Sequence, residues 1–128
     1  MKIQLVSVPV DDPIKAFKFY TEVLGFVERV YMPEMVLAIV ASPEEPNGTG
    51  LLLEPNNHPI SKTFQEGVYN LGMPIIVFGV EDIQKEYERL KNLGVVFRSE
   101  PAQEGPAIVA NLEDTCGNIV QISQLTMA

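Results

Sequence analysis

The chain has 128 residues, of which 46% are hydrophobic, so it is long enough for one domain with a substantial core. Its 17 acidic and 9 basic side chains give a formal net charge of −8, which disfavours nucleic acid as a partner. No apolar run approaches the roughly 20 residues of a membrane-spanning helix, and the N-terminus lacks the apolar segment of a signal peptide. We therefore expect a cytoplasmic protein without a membrane partner.

The first half of the chain predicts a strand, a helix and three further strands. In Leu5–Val10 the valines alternate with other residues, which is typical of a strand with two different faces. A helix follows, because Asp12 is a good N-cap and Gly25 can end a helix in the left-handed conformation. Short runs separated by turn residues then predict strands over Phe26–Met32, Met35–Ala41 and Gly50–Glu54.

The second half repeats this plan. A shift of 70 residues places Leu5–Asp12 on Ile75–Asp82, and after a one-residue gap Leu24-Gly25 falls on Leu93-Gly94. Asp82 caps the second predicted helix, which ends at Gly94, and strands are predicted over Val95–Ser99, Ala107–Leu112 and Asn118–Gln124. We therefore predict an α+β fold of two βαβββ modules within a single domain over residues 1–128: residues 1–56, a connector over residues 57–72, and residues 73–126.

Each predicted helix covers one face of a small sheet, so the other face must meet something else. The candidates are the sister module and another subunit, and we therefore expect a homodimer. The sequence does not distinguish modules paired within one chain from modules exchanged between chains.

Three sequence patterns resemble a known superfamily. Residues 10–26 read V-x-D-P-x-x-A-x-x-F-Y-x-x-V-L-G-F, residues 80–83 read V-x-D-I, and residues 114–122 read D-x-x-G-N-x-x-x-I. They resemble the two module openings and the closing hairpin of the vicinal-oxygen-chelate superfamily. That superfamily contains glyoxalase I, bleomycin-resistance proteins, fosfomycin-resistance enzymes and extradiol dioxygenases. The resemblance implies the paired βαβββ fold, on which many different chemistries occur.

Enzymes of this superfamily mostly hold a divalent metal between the modules through His, Gln or Glu side chains. The resemblance places the four ligand positions at Leu5, Leu52, Ile75 and Gln121. Three of these side chains are aliphatic and have no lone pair to offer a cation. The only histidine, His58, is predicted to lie in a connector loop, away from the sheets. We therefore predict neither a metal site nor a cofactor.

The same strands predict a ligand cavity between the modules. By alternation, polar side chains point inward beside the aliphatic ones, and such a mixture is typical of a small-molecule site. The acidic surface favours a hydrophobic or cationic ligand. The predicted ligand-binding residues are Leu5, Ser7, Leu52, Glu54, Ile75, Val77, Gln121 and Ser123.

Three functions remain open on the sequence alone. The first is a metal-independent binding protein similar to bleomycin-resistance proteins. The second is a cofactor-independent enzyme of the lyase or isomerase type, with Glu54 as general base. The third is a structural or interaction module whose interior is filled, in which Leu5, Leu52 and Ile75 are core residues. The single cysteine, Cys116, has no basic neighbour in sequence and is interpreted as a turn residue rather than a nucleophile.

Overall fold

The computed structural model describes residues 1–126, which form two four-stranded sheets with a helix on one face of each. The first sheet has the strand order β1-β4-β3-β2 and the second the order β5-β8-β7-β6. The first pair in each order, β1 with β4 and β5 with β8, is parallel. This confirms the predicted pair of βαβββ units. The elements are β1 Leu5–Val10, α1 Pro13–Lys18, β2 Val27–Met32, β3 Leu37–Ala41, β4 Gly50–Pro55, α2 Pro59–Asn70, β5 Val77–Gly79, α3 Ile83–Asn92, β6 Ala102–Glu104, β7 Ala107–Glu113 and β8 Ile119–Leu125.

The first predicted helix begins and ends as expected but changes type along its length. The Asp12 carboxylate accepts hydrogen bonds from the backbone N–H groups of Ile14 and Lys15 at 3.0 and 3.3 Å, which caps α1. After Lys18 the chain widens into a π-type turn over Phe19–Val23, and Gly25 then adopts a φ of +93°. The sequence predicts the two ends, but the π turn between them has no recognisable signal.

The prediction of a strand over Val95–Ser99 is wrong. The segment makes a single bridge between Phe97 and Leu112, and the strand that pairs with β7 is Ala102–Glu104. The reason lies in Ser99, whose hydroxyl accepts the N–H of Asn111 at 3.0 Å in place of a backbone carbonyl. The other predicted strands agree with the observed ones to within two residues at each end.

The connector contains a helix that the sequence analysis did not predict. His58 lies outside the helix, as predicted, with extended backbone angles at the N-cap of α2, where its Nδ1 accepts the N–H of Ile60 at 3.1 Å. Pro59 occupies the first helical position, where a missing N–H costs nothing. Within residues 1–126, no helix is long and apolar enough to cross a bilayer.

Two hydrophobic clusters form the core, one under each sheet. Val8, Val10, Val40 and Leu53 lie at the centre of the first cluster, and Leu90, Leu112 and Val120 at the centre of the second. Phe19, Leu24, Ile75, Ile76 and Phe78 pack against both clusters, and the rings of Phe26 and Phe78 meet edge to face with centroids 4.8 Å apart. The two sheets are therefore joined by shared apolar packing.

Candidate functional site

Each sheet buries one face and leaves the other open. On β1, Val8 and Val10 are buried in the first hydrophobic cluster, whereas Leu5 is 45% exposed and Ser7 is exposed. The same alternation runs through both sheets, because successive strand residues point to opposite faces. We call the open face of the first sheet face A and that of the second sheet face B. Face A carries Leu5, Ser7, Met32, Leu37, Ile39, Leu52 and Glu54, and face B carries Val77, Val109, Asn111, Gln121 and Ser123.

Face A combines an apolar floor with two polar side chains. Leu52 on β4 lies between Ser7 on β1 and Ile39 on β3, and it is only partly exposed. Glu54 is two residues further along β4, and its side chain reaches solvent. The carboxylate can therefore receive a cationic or hydrogen-bond-donating group while aliphatic surface next to it contacts an apolar one.

Face B is more polar than face A. Gln121 on β8 lies between Val77 on β5 and Asn111 on β7, and its amide donates a hydrogen bond of 3.1 Å to Asn111 Oδ1. Val77 is 54% exposed, and Ser123 lies two residues beyond Gln121. This face offers several donors and acceptors beside a single exposed aliphatic side chain.

The eight predicted ligand-binding residues are thus divided between face A, face B and the apolar contact between the two sheets. Ile75 precedes β5, donates its N–H to the Ile119 carbonyl at 2.9 Å, and packs against both hydrophobic clusters. It is the one predicted residue that takes part in the core between the sheets. The remaining seven lie on face A or face B.

A single chain does not enclose these faces in a cavity. One cavity, of about 300 Å³, lies at the junction of the two sheets, where Phe26, Val77 and Phe78 line it together with the charged Glu44, Glu86 and Arg89. Ser7, Glu54 and Gln121 line neither this cavity nor four others found in residues 1–126. The predicted site is therefore an open surface in the isolated chain.

The four positions that the resemblance assigns to metal ligands do not suit a cation. The side chains of Leu5, Leu52 and Ile75 carry no atom that can coordinate a cation, so Gln121, whose Nε2 donates to Asn111 Oδ1, would supply a single amide oxygen. In the part of the chain that the structure describes, no three His, Cys, Asp or Glu side chains are grouped closely enough to hold a metal ion. The residues at these positions thus disagree with a divalent metal at the family's site.

The most deeply buried polar group, Asp114, was not predicted. It lies in the β7–β8 turn, where its Oδ1 accepts hydrogen bonds from the backbone N–H groups of Cys116 and Asn118 at 2.7 and 3.0 Å. The Tyr20 hydroxyl donates to the same carboxylate at 2.7 Å, and the Asn118 amide donates at 2.8 Å. Burial raises the pKa of Asp114, and these hydrogen bonds oppose that rise. Burial, with Asp114 beside it, holds the pKa of Tyr20 well above its usual range.

Gln65 of α2 extends this network to the first sheet. Its Nε2 lies 3.0 Å from the Pro9 carbonyl, 3.1 Å from the Cys116 carbonyl and 3.0 Å from Asn118 Oδ1, and its Oε1 accepts from Asn56 at 2.7 Å. No buried side-chain nitrogen or oxygen in the described chain lacks a hydrogen-bond partner. A fully partnered network of this kind stabilises the fold and leaves no polar atom free for a ligand.

Cys116 and Tyr69 are among the further groups whose pKa values are raised. Burial raises the pKa of the Cys116 thiol to about 12, with the neighbouring Asp114 acting in the same direction, so the thiol is unreactive at neutral pH. On α2 the Tyr69 hydroxyl donates to Glu113 at 3.0 Å, and this hydrogen bond raises the pKa of Tyr69. Arg98 binds the same carboxylate at 2.8 Å and lies over the Tyr69 ring. No motif or spacing in the sequence indicated this cluster of Tyr69, Arg98 and Glu113.

Known proteins share both the sequence pattern and the fold. A family model described as the Glyoxalase/Bleomycin resistance protein/Dioxygenase superfamily matches residues 2–122. The chain is 47% identical over 126 residues to the uncharacterized protein YurT of Bacillus subtilis (strain 168), covering 97% of this chain and 99% of that protein. Among solved structures it is similar to UcmS2, with 28% identity, a TM-score of 0.78, and 96% and 97% of the two chains covered. It is also similar to TnmS3, an antibiotic binding protein from Streptomyces sp. CB03234, with 25% identity, a TM-score of 0.74, and 98% and 96% covered.

Proposed function

Since this chain belongs to the glyoxalase/bleomycin resistance protein/dioxygenase superfamily, we propose that it binds an apolar, cation-bearing small molecule without a metal ion. The observation that carries the proposal is face A, where Leu5, Leu52 and Ile39 form an apolar surface beside Ser7 and Glu54. An apolar floor with a few polar groups is the usual composition of a small-molecule site.

Two further observations support binding rather than metal chemistry. The side chains at Leu5, Leu52 and Ile75 cannot coordinate a cation, so a Lewis-acid site of the family type has no ligands there. TnmS3, which is similar over nearly the whole chain, is an antibiotic binding protein. A ligand on face A would gain mainly from the burial of apolar surface, and Glu54 would select for positive charge.

The proposal is tested by thermal unfolding in the presence of matched compounds. Octylamine and octanoate share an apolar chain and differ in charge, and zinc chloride, manganese chloride and glutathione serve as metal and thiol probes. A ligand that binds only the folded chain raises the melting temperature. We expect octylamine to raise it more than octanoate does, and the metals to have no effect at stoichiometric concentration.

Two variants assign the effect to face A. Glu54→Gln removes the charge and is expected to abolish the preference for octylamine, whereas Glu88→Gln, on the exposed side of α3, is the matched control. Stabilisation by stoichiometric zinc or manganese would overturn the proposal, and so would the failure of both eight-carbon compounds to bind. Conversion of a bound compound that disappears in Glu54→Gln while binding persists would instead establish Glu54 as a general base.

A further inference from the structure

The strand β5 is the outermost strand of the second sheet, and one of its edges has no neighbouring strand. The strand order β5-β8-β7-β6 pairs β5 with β8 alone, and Val77 and Gly79 of β5 are exposed. An outermost strand presents unpaired backbone N–H and C=O groups, and another extended chain can pair with them. The free edge of β5 is therefore a surface on which a ligand can form main-chain hydrogen bonds.

The hydrogen bonds to β8 show which backbone groups of β5 point away from the free edge. The Val80 N–H donates to the Ser123 carbonyl at 2.9 Å, and the Ile76 carbonyl accepts the Gln121 N–H at 3.0 Å. Backbone groups alternate between the two sides of a strand, so every second residue from Ile76 to Val80 directs its N–H and C=O groups at β8. The residues between them direct theirs at the free edge.

These intervening residues are Val77 and Gly79. Within residues 1–126, none of the backbone hydrogen bonds outside the helices and sheet ladders involves either residue. Their positions along the edge are about 6.6 Å apart, at a rise of roughly 3.3 Å per residue. An extended ligand with one or two amide groups matches this spacing.

The free edge of β5 borders a cavity. Val77 and Gly79 line the cavity of about 300 Å³ at the junction of the two sheets, which we call the junction cavity. Its apolar lining includes Phe26 and Phe78, which are partly buried, and Leu90 of α3, which is buried. This volume is at the lower end of the range for small-molecule sites, so it suits a ligand of dipeptide size rather than a long strand.

The charged side chains that line the junction cavity are Glu44, Glu86 and Arg89. Arg89 is already engaged, because its Nε donates to Glu86 at 2.7 Å and its Nη1 donates to the Val23 carbonyl at 3.1 Å. Glu44 lies in the loop after β3 and is exposed, and the salt bridges within residues 1–126 join other residues. The charge of Glu44 is therefore not compensated, and it favours a ligand with an ammonium group.

We propose that the junction cavity binds a short peptide amide with a free amino terminus, which pairs with the backbone of Val77 and Gly79 at the free edge of β5. An apolar side chain of the peptide packs on Phe26 and Phe78, and its ammonium group lies near Glu44. In this mode of recognition the main-chain hydrogen bonds supply affinity and the pocket selects the side chain. The proposal goes beyond the ligand site on face A and does not depend on it, because no face A residue lines the junction cavity.

The position of the site is tested by NMR titration of the ¹⁵N-labelled full chain with glycyl-L-phenylalaninamide. We expect saturable shifts of the Val77 and Gly79 amide signals, and no saturable shifts at Leu52 and Glu54 on face A. Acetylation of the amino terminus removes the charge of the probe and should weaken binding by about threefold. Methylation of its peptide nitrogen removes a donor and should weaken binding by at least about fivefold. The absence of saturable shifts at Val77 and Gly79 with about 10 mM probe would overturn the proposal, and so would shifts confined to face A.

Matched variants test the individual contacts. Glu44→Gln should weaken binding of the charged probe by about threefold and leave the acetylated probe unaffected. Glu45→Gln, at the next residue and outside the junction cavity, is the control. Gly79→Pro removes an N–H group that the ladder with β8 does not use, and it should weaken both probes by at least about fivefold. Gly79→Ala keeps this N–H group and has open space for its Cβ, so it should bind as the wild type does.

Two results would overturn the pairing with the free edge of β5. One is a folded Gly79→Pro variant that binds the probe as tightly as Gly79→Ala does. The other is an N-methylated probe that binds the wild-type chain as tightly as glycyl-L-phenylalaninamide does, and this comparison requires no variant to fold. Equal binding of the charged probe by Glu44→Gln and Glu45→Gln would overturn the role of Glu44.

Discussion

The Tyr20 hydroxyl links the π-type turn after α1 to the buried Asp114 carboxylate, so its removal tests the importance of the network directly. Tyr20→Phe deletes one oxygen atom and keeps the ring, which packs near Phe19, Phe26 and Phe78. Tyr20 is completely buried, and no exposed surface is changed by the substitution. The loss of stability therefore measures the hydrogen bond of 2.7 Å to Asp114.

The expected loss is largest where Asp114 is ionised. A hydrogen bond to a charged group contributes about 1.5–3 kcal/mol, and a neutral one about 1 kcal/mol. Burial raises the folded-state pKa of Asp114 above its ordinary value of 3.8. The protonated carboxyl group of Asp114 therefore stabilises the folded chain below about pH 3.8. This stabilisation is lost as the pH rises through the folded-state pKa. Loss of the Tyr20 donor removes an interaction that lowers this pKa, so the variant should be penalised more at pH 7 than at pH 3.5.

Urea denaturation at pH 7 and pH 3.5 measures both effects. At pH 7 we expect a loss of about 2 kcal/mol, which for a chain of this length lowers the melting temperature by about 8 °C. The control is Tyr31→Phe, because the Tyr31 ring stacks on Phe17 with centroids 4.0 Å apart and this contact survives the substitution. A loss below about 0.5 kcal/mol at pH 7, or an equal loss at both pH values, would refute the role assigned to Asp114.

Three other substitutions or reagents test individual features of the structure. Cys116 should fail to react with Ellman's reagent at pH 8 until the chain is unfolded in urea, and rapid native labelling would contradict its burial. Gln65→Met should destabilise the fold by about 2–4 kcal/mol in urea denaturation, because Asn56 and Asn118 lose a buried partner, and a neutral effect would refute the network. Val36→Asn should stabilise the chain by about 0.5–1 kcal/mol in the same assay, since Val36 has a φ of +54° that a β-branched residue rarely adopts. A loss of stability would contradict that explanation.

The strands and capped helices could be predicted because their signals are local. Asp12 and Asp82 each accept backbone N–H groups at the start of a helix, and Gly25 and Gly94 adopt positive φ at the end. Face A and face B follow from the alternation of side chains along the strands, so seven of the eight predicted ligand residues could be placed on a face from the sequence. The eighth, Ile75, lies just before β5, where packing between the sheets decides its surroundings.

The features that could not be predicted depend on contacts far apart in sequence. Tyr20 and Asp114 are 94 residues apart, and Gln65 and Asn118 are 53 residues apart. Neither pair has a spacing that periodicity reveals. The segment Val95–Ser99 has the composition of a strand, yet a single side-chain hydroxyl, that of Ser99, replaces the expected backbone acceptor. The exposure of Ile60, Phe64 and Leu71 along α2 could not be predicted for a different reason. A helix with one apolar side normally buries that side, so the pattern alone would place these side chains in the core.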